Sequence, residues 1–196
     1  MTEAPVVVNT AEVNAVVIFY SRYGQTESMA LAAGVGAIQA RANVRLRKVP
    51  EIADSQTIES DTEWKQNFDR MNQEYIAPRE IDLDWADVLV LATPSDAPDE
   101  MNRYLGSLKN LTGKIAAPFA SRSITHGEKD ASLRALYAAA AQAGLMVVPV
   151  PAEIAADPVQ VVRAYVRQVA EIARALKSYR AALNSAAAAQ HNIPTR

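Results

Sequence analysis

Four continuous apolar runs and one alternating run set the rhythm of this chain. Val16 to Tyr20, Asp87 to Ala92, Lys114 to Ala120 and Leu145 to Val150 are short, apolar and rich in β-branched or small residues, the pattern of strands buried on both faces. Asn43 to Val49 alternates instead, with Val44 and Leu46 between Arg45, Arg47 and Lys48, and reads as a half-exposed edge strand. Helical periods lie between the runs. Thr26 and Glu27 open a helix in which Met29, Ala33, Ala37 and Leu31, Val35, Ile38 recur at steps of three and four. Gly34 and Gly36 fall inside that helix, where small residues allow close packing on the sheet. Trp64, Phe68 and Met71 mark a helix near Asp61 to Tyr75 within an otherwise polar stretch, and Pro78 ends it.

The later helices follow the same logic. Ser95 or Asp96 can cap a helix carrying Tyr104, Leu105 and Leu108, and Asp130 one that runs to about Gln142, with Gly144 as its terminal glycine. From Pro158 a long helix carries Val159, Val162, Val166, Val169, Ala173 and Leu176 on one stripe, with Tyr165, Ile172, Tyr179 and Leu183 beside it. The expected organisation is a loose arm over 1–13, one domain over 14–183 and a fraying tail over 184–196. Strands alternating with helices argue for one open α/β sheet, parallel, with helices on both faces. Ligands of such sheets lie beyond the carboxyl ends of the strands. The loops at 21–26, 93–101 and 121–129 are thereby expected around one site.

Composition narrows the chemistry. With 196 residues, 49% hydrophobic and a net charge of −2, the chain can bury a sizeable core and gives no reason to propose nucleic acid or an anionic membrane as partner. There is no Cys, which excludes disulfides, thiolate metal sites and thiol nucleophiles; two His, His126 and His191, are too few for a histidine-based zinc site. No run approaches membrane length, and the N-terminus lacks a basic signal region, so a cytoplasmic protein without membrane insertion is the expectation.

The stretch with the most chemistry is Ser21-Arg22-Tyr23-Gly24-Gln25-Thr26, between the first strand and its helix. A strand turning directly into a helix aims free backbone N–H groups and the positive end of the helix dipole at one point, which suits an anion. Ser21 and Thr26 add hydroxyls, and Gly24 lets the backbone close on a small tetrahedral group. No Gly-Lys-Ser/Thr follows, so it is not a nucleoside-triphosphate loop, and Gly34 and Gly36 lie too deep in the helix for a dinucleotide fingerprint. An ordinary turn with Ser21 or Thr26 as a helix cap is the plainer alternative.

Over about 15–153 the order of these pieces resembles the WrbA family of tryptophan-repressor-binding-protein-like NAD(P)H:quinone oxidoreductases. The resemblance is carried by Ser21 to Thr26, by Glu63-Trp64-Lys65, by Leu83-Asp84-Trp85-Ala86-Asp87 leading to Thr93-Pro94-Ser95, and by Gly144 to Pro149. It implies a flavodoxin-like three-layer sandwich with a five-stranded parallel sheet in the order 2-1-3-4-5. It also implies FMN as cofactor, NAD(P)H as co-substrate, a quinone or similar small acceptor, and a homo-oligomer, a dimer or a tetramer. On this resemblance Ser21, Arg22, Tyr23, Gly24, Gln25 and Thr26 hold the phosphate. Pro94, Ser95, Asp96 and Ala97 face the ring, and Ser121, Ser123, His126 and Gly127 its far edge.

The ring loops depart from the family pattern. Where the family has Arg, an aromatic, Gly and Asn, this chain has Asp96, Ala97, Pro98 and Asp99. The family's glycine-rich third loop is reduced to Ser121 to Gly127, with Arg22 and Arg122 as candidate replacements for the missing positive charge. A ring lies flat on backbone only where glycines permit the approach. The departures therefore motivate a second reading, a flavodoxin-like binding or scaffold protein that has lost tight FMN binding or turnover. A phosphoacceptor receiver is excluded, since Tyr20-Ser21 and Ala92-Thr93 stand where its acidic residues would be.

Overall fold

In the computed structural model, which describes residues 11–94, 99–121, 131–151 and 157–191, the five runs form one sheet in the order β2-β1-β3-β4-β5. The strands are β1 (Asn14–Phe19), β2 (Asn43–Lys48), β3 (Val88–Thr93), β4 (Ile115–Ala120) and β5 (Met146–Val147), and every pairing is parallel. The helices, numbered in chain order, are α1 (Gln25–Gln39), α2 (Ser55–Glu59), α3 (Thr62–Glu74), α4 (Glu80–Trp85), α5 (Asp99–Ser107), α6 (Ala131–Gln142) and α7 (Pro158–His191). The order 2-1-3-4-5 is the one the resemblance implies.

Strand side chains alternate between two cores. Ala15, Val17 and Phe19 of β1 and Val88, Val90 and Ala92 of β3 pack under α1 and α7. Val16, Ile18, Leu89 and Leu91 pack under α5 and α6 with Met101, Leu105, Leu136 and Ala140. Burial on both faces explains the unbroken apolar runs of β1, β3 and β4, while the edge strand β2 keeps its alternation.

Three features differ from the sequence reading. In α1, Met29, Ala33 and Ala37 are buried, whereas Leu31, Val35 and Ile38 are exposed, because the second set lies on the side of the helix turned away from the sheet. Gly34 faces Val44 and Leu46 of β2, but Gly36 faces the backbone of α7, where an added Cβ would come within 2.2 Å of the Arg163 carbonyl. One glycine therefore serves the sheet and the other a helix crossing. The third difference is β5, which pairs over only Met146–Val147 rather than the whole of Leu145 to Val150.

The reason for the short β5 lies in β4. Val148 N still donates to Ala116 O at 3.0 Å. The next rung would need an N–H from residue 118, and Pro118 has none. The Tyr165 hydroxyl of α7 donates to Val148 O at 2.6 Å in its place, and Val150 N donates to the Tyr137 hydroxyl at 3.0 Å. Two tyrosines thus complete the backbone pairing that proline interrupts.

Candidate functional site

β1 ends at Phe19, and Tyr20 N extends the ladder to Ala92 O at 3.1 Å. Ser21 follows, buried, with its Oγ accepting from Gly24 N at 3.1 Å. Gly24 has φ +82° and ψ −15°, a left-handed conformation that closes the turn without a Cβ penalty. Helix α1 then starts at Gln25 with no side-chain cap. Among the described residues the amides of Arg22, Tyr23, Gln25 and Thr26 find no acceptor. The capping alternative therefore fails at Thr26 and survives at Ser21 only as a bond inside the loop. Thr26 is buried at this uncapped terminus. Free N–H groups, the helix dipole and a left-handed glycine make a cradle for an oxyanion.

The neighbouring strands bring two more loops to the same edge. Thr93 pairs with Ala120 at the end of the β3–β4 ladder, so Pro94 and Ser121 leave the sheet side by side. Thr93 is buried, and its hydroxyl has no hydrogen-bond partner among the described residues. Such an atom is costly to leave unmatched, and a bound polar group would satisfy it. Ser121 is buried and has a partner of its own. Ser95, Asp96, Ala97, Ser123, His126, Gly127 and Arg122 lie outside the described residues.

Arg22 does not reach into the cradle. Its Nε donates to the Tyr20 hydroxyl at 2.8 Å, its guanidinium stacks 4.5 Å from the Trp64 ring centre, and one nitrogen lies 3.8 Å from Glu100. The Tyr20 hydroxyl in turn donates to Glu51 at 2.7 Å. Among the described residues the buried Glu100 Oε2 has no hydrogen-bond partner. Burial first, then the neighbouring Glu51 carboxylate, pushes the Glu100 carboxyl above its ordinary range. Burial pushes the Tyr20 phenol further above its ordinary range. Arg22 therefore contributes its backbone amide to the loop, and its charge to the fold.

The polar middle segment packs against the loop. One face of α3, with its cap, lies along the loop: the Tyr23 hydroxyl donates to Asp61 at 2.9 Å, Arg22 stacks on Trp64, Asn67 Oδ1 lies 3.5 Å from where a Gly24 Cβ would be, and Arg70 bonds Glu27 at 2.8 and 2.5 Å. Asp61, Trp64, Asn67 and Arg70 recur at steps of three, one face of a helix. That spacing was the available signal. The apolar residues of the segment alone do not reveal Asn67 and Arg70.

No family model matches the chain. It is 30% identical over 149 residues to the NAD(P)H dehydrogenase (quinone) of Deinococcus radiodurans, covering 71% of this chain and 74% of that protein. The chain belongs to the NAD(P)H dehydrogenase (quinone) family. A further member, NAD(P)H dehydrogenase (quinone) 3 of Rhizobium meliloti, is 29% identical over 69% of this chain and 65% of its own length. The family places the chain among oxidoreductases. Among solved structures, a flavodoxin of Streptococcus pneumonia TIGR4 superposes with a TM-score of 0.54 at 16% identity, over 81% of this chain and 99% of that one. A short-chain flavodoxin associated with a bacterial microcompartment gives 0.53 at 14% identity, over 82% and 99%. The fold is flavodoxin-like. No helix among the described residues is long and apolar enough to cross a membrane, and no cluster of three metal-ligating side chains occurs among them.

Proposed function

We propose that the chain binds FMN at the carboxyl edge of β1, β3 and β4 and uses it to carry a hydride from NAD(P)H to a quinone. The observation that carries this reading is the uncapped start of α1: left-handed Gly24, unpaired amides of Arg22, Tyr23, Gln25 and Thr26, and the Ser21 hydroxyl fixed by Gly24 N. The residues present suit a phosphate, and the orphaned Thr93 hydroxyl suits a polar atom near the ring. Bound flavin would supply the two-electron relay, and the chain its grip and orientation. Ser21, Tyr23, Gly24, Gln25 and Thr26 would hold the phosphate, with Arg22 adding its amide. Pro94, Ser95, Asp96 and Ala97 would face the ring, and Ser121, Ser123, His126 and Gly127 its far edge.

Within the family the Ser21-to-Thr26 loop and the Trp64 segment support a WrbA-like member. We also read the protein as a homo-oligomer, a dimer or a tetramer. The exposed apolar row Leu31, Val35 and Ile38 on α1 supports association, which light scattering of the purified protein tests directly.

The test of the cofactor is a titration of flavin-free protein with FMN, followed by visible absorption and flavin fluorescence. The expected result is binding with quenching, weaker than in a relative that keeps the Arg-aromatic-Gly-Asn loop, and FMN-dependent NADH oxidation with a benzoquinone. Gly24→Ala strains the left-handed turn and is expected to weaken FMN by about tenfold, the size of a one-to-two kcal/mol backbone penalty. An unchanged spectrum at high micromolar FMN would overturn the reading in favour of a binding or scaffold protein.

A further inference from the structure

Glu27 occupies the third position of α1, directly at the anion cradle. Its Oε2 lies 3.7 Å from where a Gly24 Cβ would be. A carboxylate in the first turn is drawn to free helix amides and to the positive end of the dipole. Left to itself, Glu27 would act as a resident anion, competing with any phosphate for the same N–H groups and repelling its charge.

The structure shows Glu27 held away from that role. Arg70 of α3 grips both carboxylate oxygens, at 2.8 Å to Oε1 and 2.5 Å to Oε2, and the Tyr75 hydroxyl donates to Oε1 at 2.9 Å. Arg70 is itself oriented by Glu74 at 2.8 Å and by Asn67 Oδ1 at 3.2 Å. The fork-shaped pairing fixes the carboxylate plane as well as its charge. The hydrogen bonds from Arg70, then the one from Tyr75, hold the Glu27 carboxyl below its ordinary range despite its burial.

We propose that Arg70 is a positioning residue for the anion site: by pinning and neutralising Glu27 it keeps the first turn of α1 open to an external phosphate. The proposal rests on the FMN reading for the identity of the ligand, but its electrostatics concern any dianion at this helix start. It assigns to the α3 segment, remote in sequence from the loop, a part in setting phosphate affinity.

The test compares wild type, R70Q, E27Q and R70Q/E27Q with three probes. FMN and riboflavin, which lacks the phosphate, are titrated by fluorescence quenching, and inorganic phosphate is read as a rise in melting temperature. R70Q should weaken FMN roughly tenfold, the upper size of a partly buried charge effect at a helix terminus. It should abolish the phosphate-induced rise and leave riboflavin unchanged, and R70Q/E27Q should recover FMN. Equal loss of FMN and riboflavin in R70Q, or no recovery in the double variant, would overturn the proposal. E27Q alone decides the matter if R70Q does not fold: it should strengthen phosphate binding, and weaker binding sinks the role. If wild type responds to phosphate in this pattern but binds neither flavin, the FMN reading falls and the role of Arg70 stands. If wild type responds to neither phosphate nor FMN, both fall.

Discussion

Asp82 is the residue on which burial and charge meet most severely. It is fully buried, and it accepts from Arg47 at 2.8 and 2.7 Å, from Arg45 at 3.1 Å and from the Arg79 amide at 3.1 Å, tying the edge strand β2 to α4. The Arg47 hydrogen bonds above all hold its carboxyl down at about 2. Because the folded pKa is depressed, the stability it contributes is present above the ordinary carboxyl range and is lost as pH falls toward about 2. Asp82→Asn leaves guanidinium groups uncompensated and should cost about 3–5 kcal/mol in urea unfolding at neutral pH, with a flatter acid limb. Glu100 has the opposite sign. Its carboxyl is raised by burial and by Glu51, so the native state takes up a proton on acidification, and the contribution to stability falls as pH rises through the raised pKa. The groups around it are Tyr20 at the end of β1, Arg22 in the loop, Lys48 at the end of β2, and Glu51. Glu100→Gln removes the buried charge beside Glu51. Its melting temperature should exceed wild type at pH 8 by about 2–4 °C, the effect of about 1 kcal/mol in a domain of this size, and match it near pH 5. An E100Q protein less stable than wild type at pH 8 would contradict the raised Glu100 carboxyl.

At the scale of elements, the two glycines of α1 look alike in sequence and differ in what they touch. A Cβ on Gly34 would meet Leu46 and Val44 at 3.5 and 3.6 Å, ordinary contact, so Gly34→Ala should stabilise by about 0.5–1 kcal/mol through helix propensity. A Cβ on Gly36 would sit 2.2 Å from the Arg163 carbonyl, so Gly36→Ala must push α1 and α7 apart, at a cost of about 1–3 kcal/mol. Thermal melts of the two variants should move in opposite directions. The same contrast measures what could be read in advance. Strands β1, β3 and β4 were legible because burial on both faces leaves a continuous apolar run. Helices α2 and α4, of 5 and 6 residues, were passed over, since neither is long enough to show a helical period. The length of β5 was misjudged because its end is set by Pro118 on the adjacent strand and by hydroxyls from two helices, none of which its own residues reveal.

For the whole molecule, the order of pieces gave the parallel sheet, and the resemblance gave the strand order. The uncapped turn proposed to hold the phosphate was legible because its parts are consecutive, from Ser21 to Thr26. Its brace was not, because Glu27 and Arg70 stand 43 positions apart and meet only after α3 folds across the loop. The docking of α7 is hidden in the same way. Its row Arg174, Lys177 and Arg180 serves the opposite, amino end of the sheet: Arg174 donates to Ala11 O and to Ala40 O at the end of α1, Lys177 pairs with Asp87 at 2.9 Å, and Arg180 donates to Gly113 O at 2.9 Å. These partners precede β1, β3 and β4, so one helix face ties three strand starts and caps a helix carboxyl terminus. Beyond Arg180 the hydrogen bond of Ser185 stays inside the helix, to Ala181 O, and Leu183 is half exposed. Ending the chain after Ser185 should therefore leave the melting temperature within about 2 °C of wild type, less than about 1 kcal/mol. Ending it after Ile172 removes the three cations together with buried Ala173 and the half-buried Leu176, and should cost about 4 kcal/mol or more from lost burial and charged hydrogen bonds. A loss of that size on removing only the residues after Ser185 would mean that the helix end is held by contacts other than this row.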